Sequence, residues 1–160
     1  MNAYDAGAKY VASRSRTVSE VRKHLKDKGF EPGEIETVIS DFTDYGYLDD
    51  CRYSADFAAY GAGKGWSDRR IIAELEKRGV SPETGRDGLT EYVREGGKSE
   101  ADRAFAAALS IVRSADILSR EEFTEKVKSR VGRRLASYGY SSGVFYETLR
   151  RIERYLEKEN

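Results

Sequence analysis

The chain has 160 residues, of which 39% are apolar and 35% are charged, with only two prolines. This balance favours helices with thin cores over a thick α/β sandwich. The 28 basic and 28 acidic residues cancel, which excludes a global attraction to nucleic acid or anionic membranes and leaves only local patches for such binding.

Cysteine and histidine are too scarce for a disulfide framework or a zinc site. Cys51 is the only cysteine and His24 the only histidine. The first ten residues lack a basic start followed by an apolar run, and no stretch approaches ~18 apolar residues. We therefore expect a cytoplasmic protein that is neither exported nor membrane-spanning and that needs no metal or cofactor.

A helix signal begins at Thr17. Its hydroxyl suits an N-cap, and Glu20 completes a capping box. Val21 and Leu25 lie four residues apart and share one face, and Gly29 supplies the left-handed residue that ends a helix. The sequence predicts a helix of three turns here.

A second helix follows at Pro32, because a first helical turn tolerates proline's missing amide hydrogen. Gly46 closes it. Its predicted buried stripe consists of Ile35, Val38, Ile39 and Phe42.

The same pattern recurs when the chain is shifted by fifty residues. The matched pairs are Thr17 with Ser67, Val21 with Ile71, Leu25 with Leu75, Gly29 with Gly79, Pro32 with Pro82, Ile39 with Leu89, Phe42 with Tyr92 and Gly46 with Gly96. A shift of 110 residues gives a fainter third copy, with Val131, Leu135, Gly139, Tyr140, Phe145, Leu149 and Ile152 at the matching positions.

Each helix pair has a further predicted helix before it, at Tyr4 to Ser13, Asp50 to Ala62 and Glu100 to Arg113. The predicted fold is therefore all-α, an elongated, curved array of three tandem three-helix repeats. Their predicted boundaries are residues 1–46, 47–97 and 98–160.

The second repeat carries glycines where the first has apolar residues. Gly85 replaces the equivalent of Ile35, and Gly88 replaces the equivalent of Val38. Each costs a helix about 1 kcal/mol against alanine. We expect the last helix of this repeat to be frayed or short.

The residues at specific positions of these repeats, beyond their period, resemble those of the RecX family of bacterial recombination regulators. Three stretches carry the likeness: Tyr10 to Val21 and on through Leu25 to Phe30, Gly46 to Phe57 with its Gly-Tyr-Leu-Asp-Asp string, and Lys64 to Val80. The resemblance implies a protein that binds the RecA recombinase filament on single-stranded DNA. It also implies that the protein limits filament growth, strand exchange, ATP hydrolysis and co-protease activity.

The C-terminal region holds a local excess of positive charge. Between residues 126 and 154 lie two acids, Glu147 and Glu153, and eight basic residues, Lys126, Lys128, Arg130, Arg133, Arg134, Arg150, Arg151 and Arg154. Arg130, Arg133 and Arg134 share one face of a long helix that is predicted to start at Glu121. These residues are the candidate partner- or DNA-binding site, and the alternative is an ordinary solvent-facing helix surface.

Tyrosines bracket the glycines at two predicted helix ends, at Tyr45 and Tyr47 and again at Tyr138 and Tyr140. Exposed rings at these positions would be able to stack on bases, although most tyrosines are expected to be structural. No acid lies with a base and a nucleophile at a catalytic spacing, and Gly61 to Gly65 does not match a nucleotide-binding loop. We expect no enzymatic activity.

Two other classes of function stay open beside regulation of RecA. One is direct DNA binding, because three-helix units with a short turn resemble helix-turn-helix folds. The other is a helical-repeat scaffold for an unrelated protein, which the balanced charge allows. The protein is expected to be a monomer.

Overall fold

The computed structural model describes residues 1–159 and contains nine α-helices in that range, with no strand. The helices are α1 (Ala3–Ser13), α2 (Val18–Asp27), α3 (Pro32–Asp44), α4 (Asp50–Gly63), α5 (Asp68–Lys77), α6 (Pro82–Arg94), α7 (Glu100–Ser114), α8 (Glu125–Ser137) and α9 (Ser142–Lys158). The all-α prediction is confirmed.

Helix α2 starts as the sequence predicts. The Glu20 amide donates to Thr17 Oγ1 at 3.1 Å, and the Thr17 amide donates to Glu20 Oε1 at 3.0 Å. This reciprocal pair is the predicted capping box, and it satisfies two amides that the helix itself cannot.

The described chain forms two compact units. The first contains residues 1–58 and 72–92, and the second contains residues 59–71 and 93–159. Helices α4 and α5 each contribute residues to both units. The three repeat boundaries inferred from the sequence stay a prediction.

Each unit has its own apolar core built largely from the predicted stripes. The first core consists of Ala3, Ala6, Val21, Leu25, Ile35, Val38, Ile39, Phe42 and Leu48. The second consists of Ala104, Ala108, Ile111, Val112, Phe123, Val131, Leu135, Tyr140, Ile152 and Leu156. The predicted burial of Val21, Leu25, Val131, Leu135 and Ile152 is therefore confirmed.

The expectation that α6 is frayed or short is wrong. Helix α6 has 13 residues, the same length as α3. Gly85 and Gly88 are both buried, and a Cβ at Gly88 would lie only 2.3 Å from Ser54 Cβ on α4. Gly88 thus permits a close approach of two helices, and this packing offsets its low helix propensity.

The expected start of α8 at Glu121 is also wrong, because the helix begins at Glu125. A turn precedes it, in which the Leu118 amide donates to Glu122 Oε2 at 2.7 Å. Phe123 is buried in the second core directly after this turn. The turn therefore brings an aromatic anchor inside before the helix starts.

Within the first unit, the start of α2 meets the end of α5. Thr17 Oγ1 donates to the Arg78 carbonyl at 2.8 Å, and the neighbouring Gly79 has a φ of +81°. A Cβ at Gly79 would lie 2.2 Å from Ser19 Cβ. Gly79 is therefore required twice, once for its left-handed backbone and once for this contact.

We expect Gly79→Ala to lower the free energy of unfolding clearly more than Gly29→Ala does. Gly29 also has a left-handed φ, +88°, but a Cβ there would meet no atom within 4 Å. Both changes incur the backbone penalty of about 1 kcal/mol, and only Gly79→Ala adds an overpacking cost of about 1 to 3 kcal/mol. Urea denaturation followed by circular dichroism measures both, and equal losses would refute the proposed role of the Ser19 contact.

Candidate interaction surface

Four exposed basic side chains share one face of α8: Lys126, Arg130, Arg133 and Arg134, called the basic face below. Their spacing of four, three and one residues keeps them within one side of a helix. Val131 and Leu135, buried in the second core, hold α8 in place. Within residues 1–159 no member of the basic face forms an ion pair, so its charge is available to a partner.

Lys128 does not belong to this face, although it lies on the same helix. Its ammonium lies 3.3 Å from a Glu153 carboxylate oxygen and 3.6 Å from one of Glu125, and 5.6 Å from the centre of the Phe123 ring. The side chain is mostly buried. Lys128 is therefore neutralised within the fold and fastens α8 to α9.

Two of the three α9 arginines form ion pairs within the chain. Arg150 pairs with Glu147, and Arg151 donates to Asp102 at 2.8 Å. The Arg151 guanidinium also lies 4.1 Å from the centre of the Phe105 ring. Its hydrogen bond holds the pKa of Asp102 below the ordinary value, which marks a favourable contact between α7 and α9.

Arg154 is exposed and lies in a groove between α7 and α9, together with Arg151, Glu100 and Glu147. The groove is of mixed charge. The structure thus brings four of the eight candidate residues together on the basic face, uses Lys128, Arg150 and Arg151 in internal ion pairs, and places Arg154 in this separate groove.

A second groove, of about 580 Å³, runs between α8 and α9 beside the basic face. Ser129, Gly132 and Ala136 form its α8 wall, and Phe145 and Tyr146 lie on the α9 side. Arg133 also lines it, and Tyr146 is 56% exposed. The groove combines an aromatic wall with a cationic edge. Such a groove suits an anionic partner that also presents a flat or apolar surface.

The sequence analysis missed this groove. A signal for it exists in the small residues Ser129, Gly132 and Ala136, which recur at helical spacing on α8. A Cβ at Gly132 would lie 3.2 Å from the Phe145 ring, so glycine there sets how closely the two helices approach.

The four tyrosines that bracket glycines fall into different environments. Tyr140 is buried, and its hydroxyl donates to the Gly65 carbonyl at 2.8 Å. Burial raises the pKa of Tyr140 to about 12. Base stacking by Tyr140 is therefore excluded, whereas Tyr138 is half-buried and Tyr45 and Tyr47 are exposed.

Buried Arg103 is a further residue that the sequence analysis missed. Its guanidinium donates to the carbonyls of Trp66 at 3.1 Å and Lys98 at 2.9 Å, and it pairs with Asp68. Only 2% of the side chain is exposed. Arg103 thereby connects the segment 59–71 to α7 inside the second unit.

Within residues 1–159, no helix is both long enough and apolar enough to cross a membrane.

Comparison with known proteins identifies the family. Residues 3–42 match the profile described as "RecX, first three-helix domain", and residues 49–89 match "RecX, second three-helix domain". A regulatory protein RecX of Thermobifida fusca is 30% identical over 139 residues, which cover 84% of this chain and 70% of that protein. The chain belongs to the RecX family. The resemblance seen in the sequence is confirmed.

Other RecX proteins match over different lengths. The regulatory protein RecX of Pseudomonas fluorescens is 36% identical over 70 residues, and this match spans 44% of the present chain and 45% of the relative. A crystal structure of RecX from Lactobacillus salivarius superposes with a TM-score of 0.77 over 94% of each chain, at 16% identity. That likeness supports the RecX fold.

Proposed function

We propose that this chain binds the RecA filament on single-stranded DNA and restrains its growth, ATP hydrolysis, strand exchange and co-protease activity. It acts as a monomeric regulator in the cytoplasm and catalyses no reaction itself. Membership of the RecX family supports the choice of RecA as partner. The structural observation that best supports this function is the basic face, whose four cations have no ion-pair partner within residues 1–159.

The charge pattern explains why α8 is the proposed contact helix. A chain with zero net charge gains little from long-range attraction, so binding to a polyanion depends on a local concentration of unpaired cations. The basic face provides four such cations on one helix. The adjoining groove, with Phe145 and Tyr146, adds apolar and aromatic contact area to this electrostatic attraction.

Charge reversal at the basic face tests this proposal. We expect Arg130→Glu, Arg133→Glu and Arg134→Glu combined to weaken binding to RecA filaments at least about tenfold near 0.1 M salt, because three attractive contacts become repulsive. If the arginines contact phosphates directly, the slope of log affinity against log salt also falls by about 2. Fluorescence anisotropy on labelled filaments measures both quantities.

The matched control is Lys9→Glu, Lys26→Glu and Lys28→Glu, which makes the same change in net charge at exposed lysines of the first unit. We expect this control to retain inhibition of RecA ATP hydrolysis at less than one chain per RecA monomer. If the two triple variants lose affinity equally, the effect follows net charge and the basic face has no special role.

Direct DNA binding is a second candidate, favoured by the aromatic groove beside the basic face. The two functions predict different results when RecA is omitted. Binding to oligodeoxythymidylate alone with undiminished affinity favours direct DNA binding. Binding that requires RecA supports the filament regulator, and binding to neither would leave the scaffold role.

A further inference from the structure

Three exposed tyrosines of the first unit are grouped around one buried ring, Phe42, and are called the tyrosine patch: Tyr4, Tyr45 and Tyr47. Tyr4 and Tyr47 both pack edge-on against Phe42, with ring centres 5.2 and 5.8 Å away, and Tyr45 lies 6.1 Å from Tyr47. Phe42 is only 1% exposed, whereas the tyrosines are 43%, 67% and 61% exposed. A buried ring thus fixes the base of a patch that faces solvent.

The chain holds this patch in a defined geometry. After α3 ends, the Tyr47 amide donates to the Phe42 carbonyl at 2.8 Å, and Gly46 between the two exposed rings has a φ of +80°. Ordered aromatic rings offer a large contact area at little entropic cost, which is why exposed clusters of them mark binding surfaces.

Carboxylates beside the rings indicate the charge of the partner. Asp41 lies four residues before Tyr45 and three before Asp44, so all three share one face at the end of α3. The last turn of α3 contains no basic residue, and neither carboxylate forms an ion pair within residues 1–159. Acids are unfavourable at a helix C-terminus, and no ion pair in the described part of the chain offsets this cost for Asp41 and Asp44.

We propose that the tyrosine patch binds a basic segment of a protein partner, with arginine or lysine side chains lying over the rings and pairing with Asp41 and Asp44. Tyrosine faces attract cations, and the two carboxylates strengthen that attraction. The same carboxylates repel phosphates, which disfavours nucleic acid at this surface. The patch is independent of the basic face on α8, and the two surfaces select partners of opposite charge.

The peptide titration uses the full chain without RecA or DNA, so its result does not depend on the proposed function. The probe is a short fluorescent peptide of alternating arginine and glycine, titrated by anisotropy, with the binding site located by NMR amide shifts. We expect Tyr45→Ala with Tyr47→Ala to weaken binding about tenfold, from the loss of two cation–π contacts. Asp41→Asn with Asp44→Asn should give a loss of similar size.

Two matched controls separate this site from general attraction. Tyr146→Ala removes an exposed tyrosine of the second unit, and Glu83→Gln with Asp87→Asn neutralises two exposed acids of α6 in the first unit. Each control should change the peptide affinity by less than about twofold. Circular dichroism of every variant establishes that it is folded.

Several results would overturn the proposal. One is unchanged peptide affinity in the folded tyrosine variant, and another is an equal loss in the controls. Binding of oligodeoxythymidylate or of a glutamate and glycine peptide at the patch would assign it to another class of partner. A dimer in sedimentation velocity that the Tyr45→Ala and Tyr47→Ala changes dissociate would assign the patch to a second copy of this chain.

Discussion

Gly88→Ala is expected to destabilise the protein by about 2 kcal/mol or more, whereas Gly85→Ala, three residues away on the same helix, is expected to stabilise it. A Cβ at Gly88 would lie 2.3 Å from Ser54 Cβ and 2.8 Å from the Ala55 nitrogen. Because one of these atoms belongs to the backbone, a side-chain rotation cannot relieve the clash, and α4 and α6 must separate.

Gly85 provides the matched control. A Cβ there would meet Leu75 Cδ1 at 3.5 Å and Ile72 Cγ1 at 3.6 Å, which are ordinary van der Waals distances. The alanine therefore gains helix propensity, about 0.5 to 1 kcal/mol, without overpacking. Urea denaturation of the two single variants measures the contrast.

The urea denaturation of these two variants can also contradict the prediction. If the two alanines change the free energy of unfolding in the same direction, the close approach at Gly88 does not constrain the helices. A further variant, Ser54→Gly, removes the closer of the two contacts, so Gly88→Ala should cost less stability in the Ser54→Gly background than in the wild type. The clash with the Ala55 backbone remains, so Gly88→Ala should still be destabilising in that background.

Gly85 and Gly88 show which features of the fold could be predicted from local sequence and which could not. Caps and stripes depend on residues three or four positions apart, so Thr17 with Glu20 and Val21 with Leu25 could be assigned from local spacing alone. The role of Gly88 depends on Ser54, 34 positions earlier in the chain. Helix propensity without that contact led to the wrong expectation of a frayed helix.

Prediction of the candidate site from sequence is limited in the same way, because contacts between distant residues are not visible in local spacing. Spacing on α8 was enough to bring Arg130, Arg133 and Arg134 together. It did not reveal which neighbouring cations are neutralised, because Arg151 pairs with Asp102, 49 positions away in sequence. Long charged side chains reach partners on other helices, so a count of basic residues overstates the charge available to a ligand.

Arg103→Ala is expected to lower the free energy of unfolding by about 3 kcal/mol or more. The guanidinium is buried and donates to two carbonyls in addition to its pairing with Asp68. Truncation leaves the Trp66 and Lys98 carbonyls without this donor and leaves the carboxylate without its cation. Arg113→Ala is the control on the same helix, because Arg113 is exposed and its hydrogen bond to Tyr155 is 3.5 Å long, so its loss should stay within about 0.5 kcal/mol.

The region of the protein that Arg103→Ala destabilises first also tests the role of Arg103. Arg103 holds the segment that contains Trp66 and Asp68. Two further hydrogen bonds connect this segment to the end of α8: Arg69 donates to the Gly139 carbonyl, and the Tyr140 hydroxyl donates to the Gly65 carbonyl. Amide hydrogen exchange in Arg103→Ala should therefore increase at residues 66–70 before it increases in the α8 and α9 core. Arg103→Lys should fall between wild type and alanine, because a single ammonium cannot reproduce the three directions of the guanidinium fork. If Arg103→Ala unfolds like Arg113→Ala, or if exchange increases equally throughout the second unit, Arg103 is not what fastens the segment 59–71 to α7.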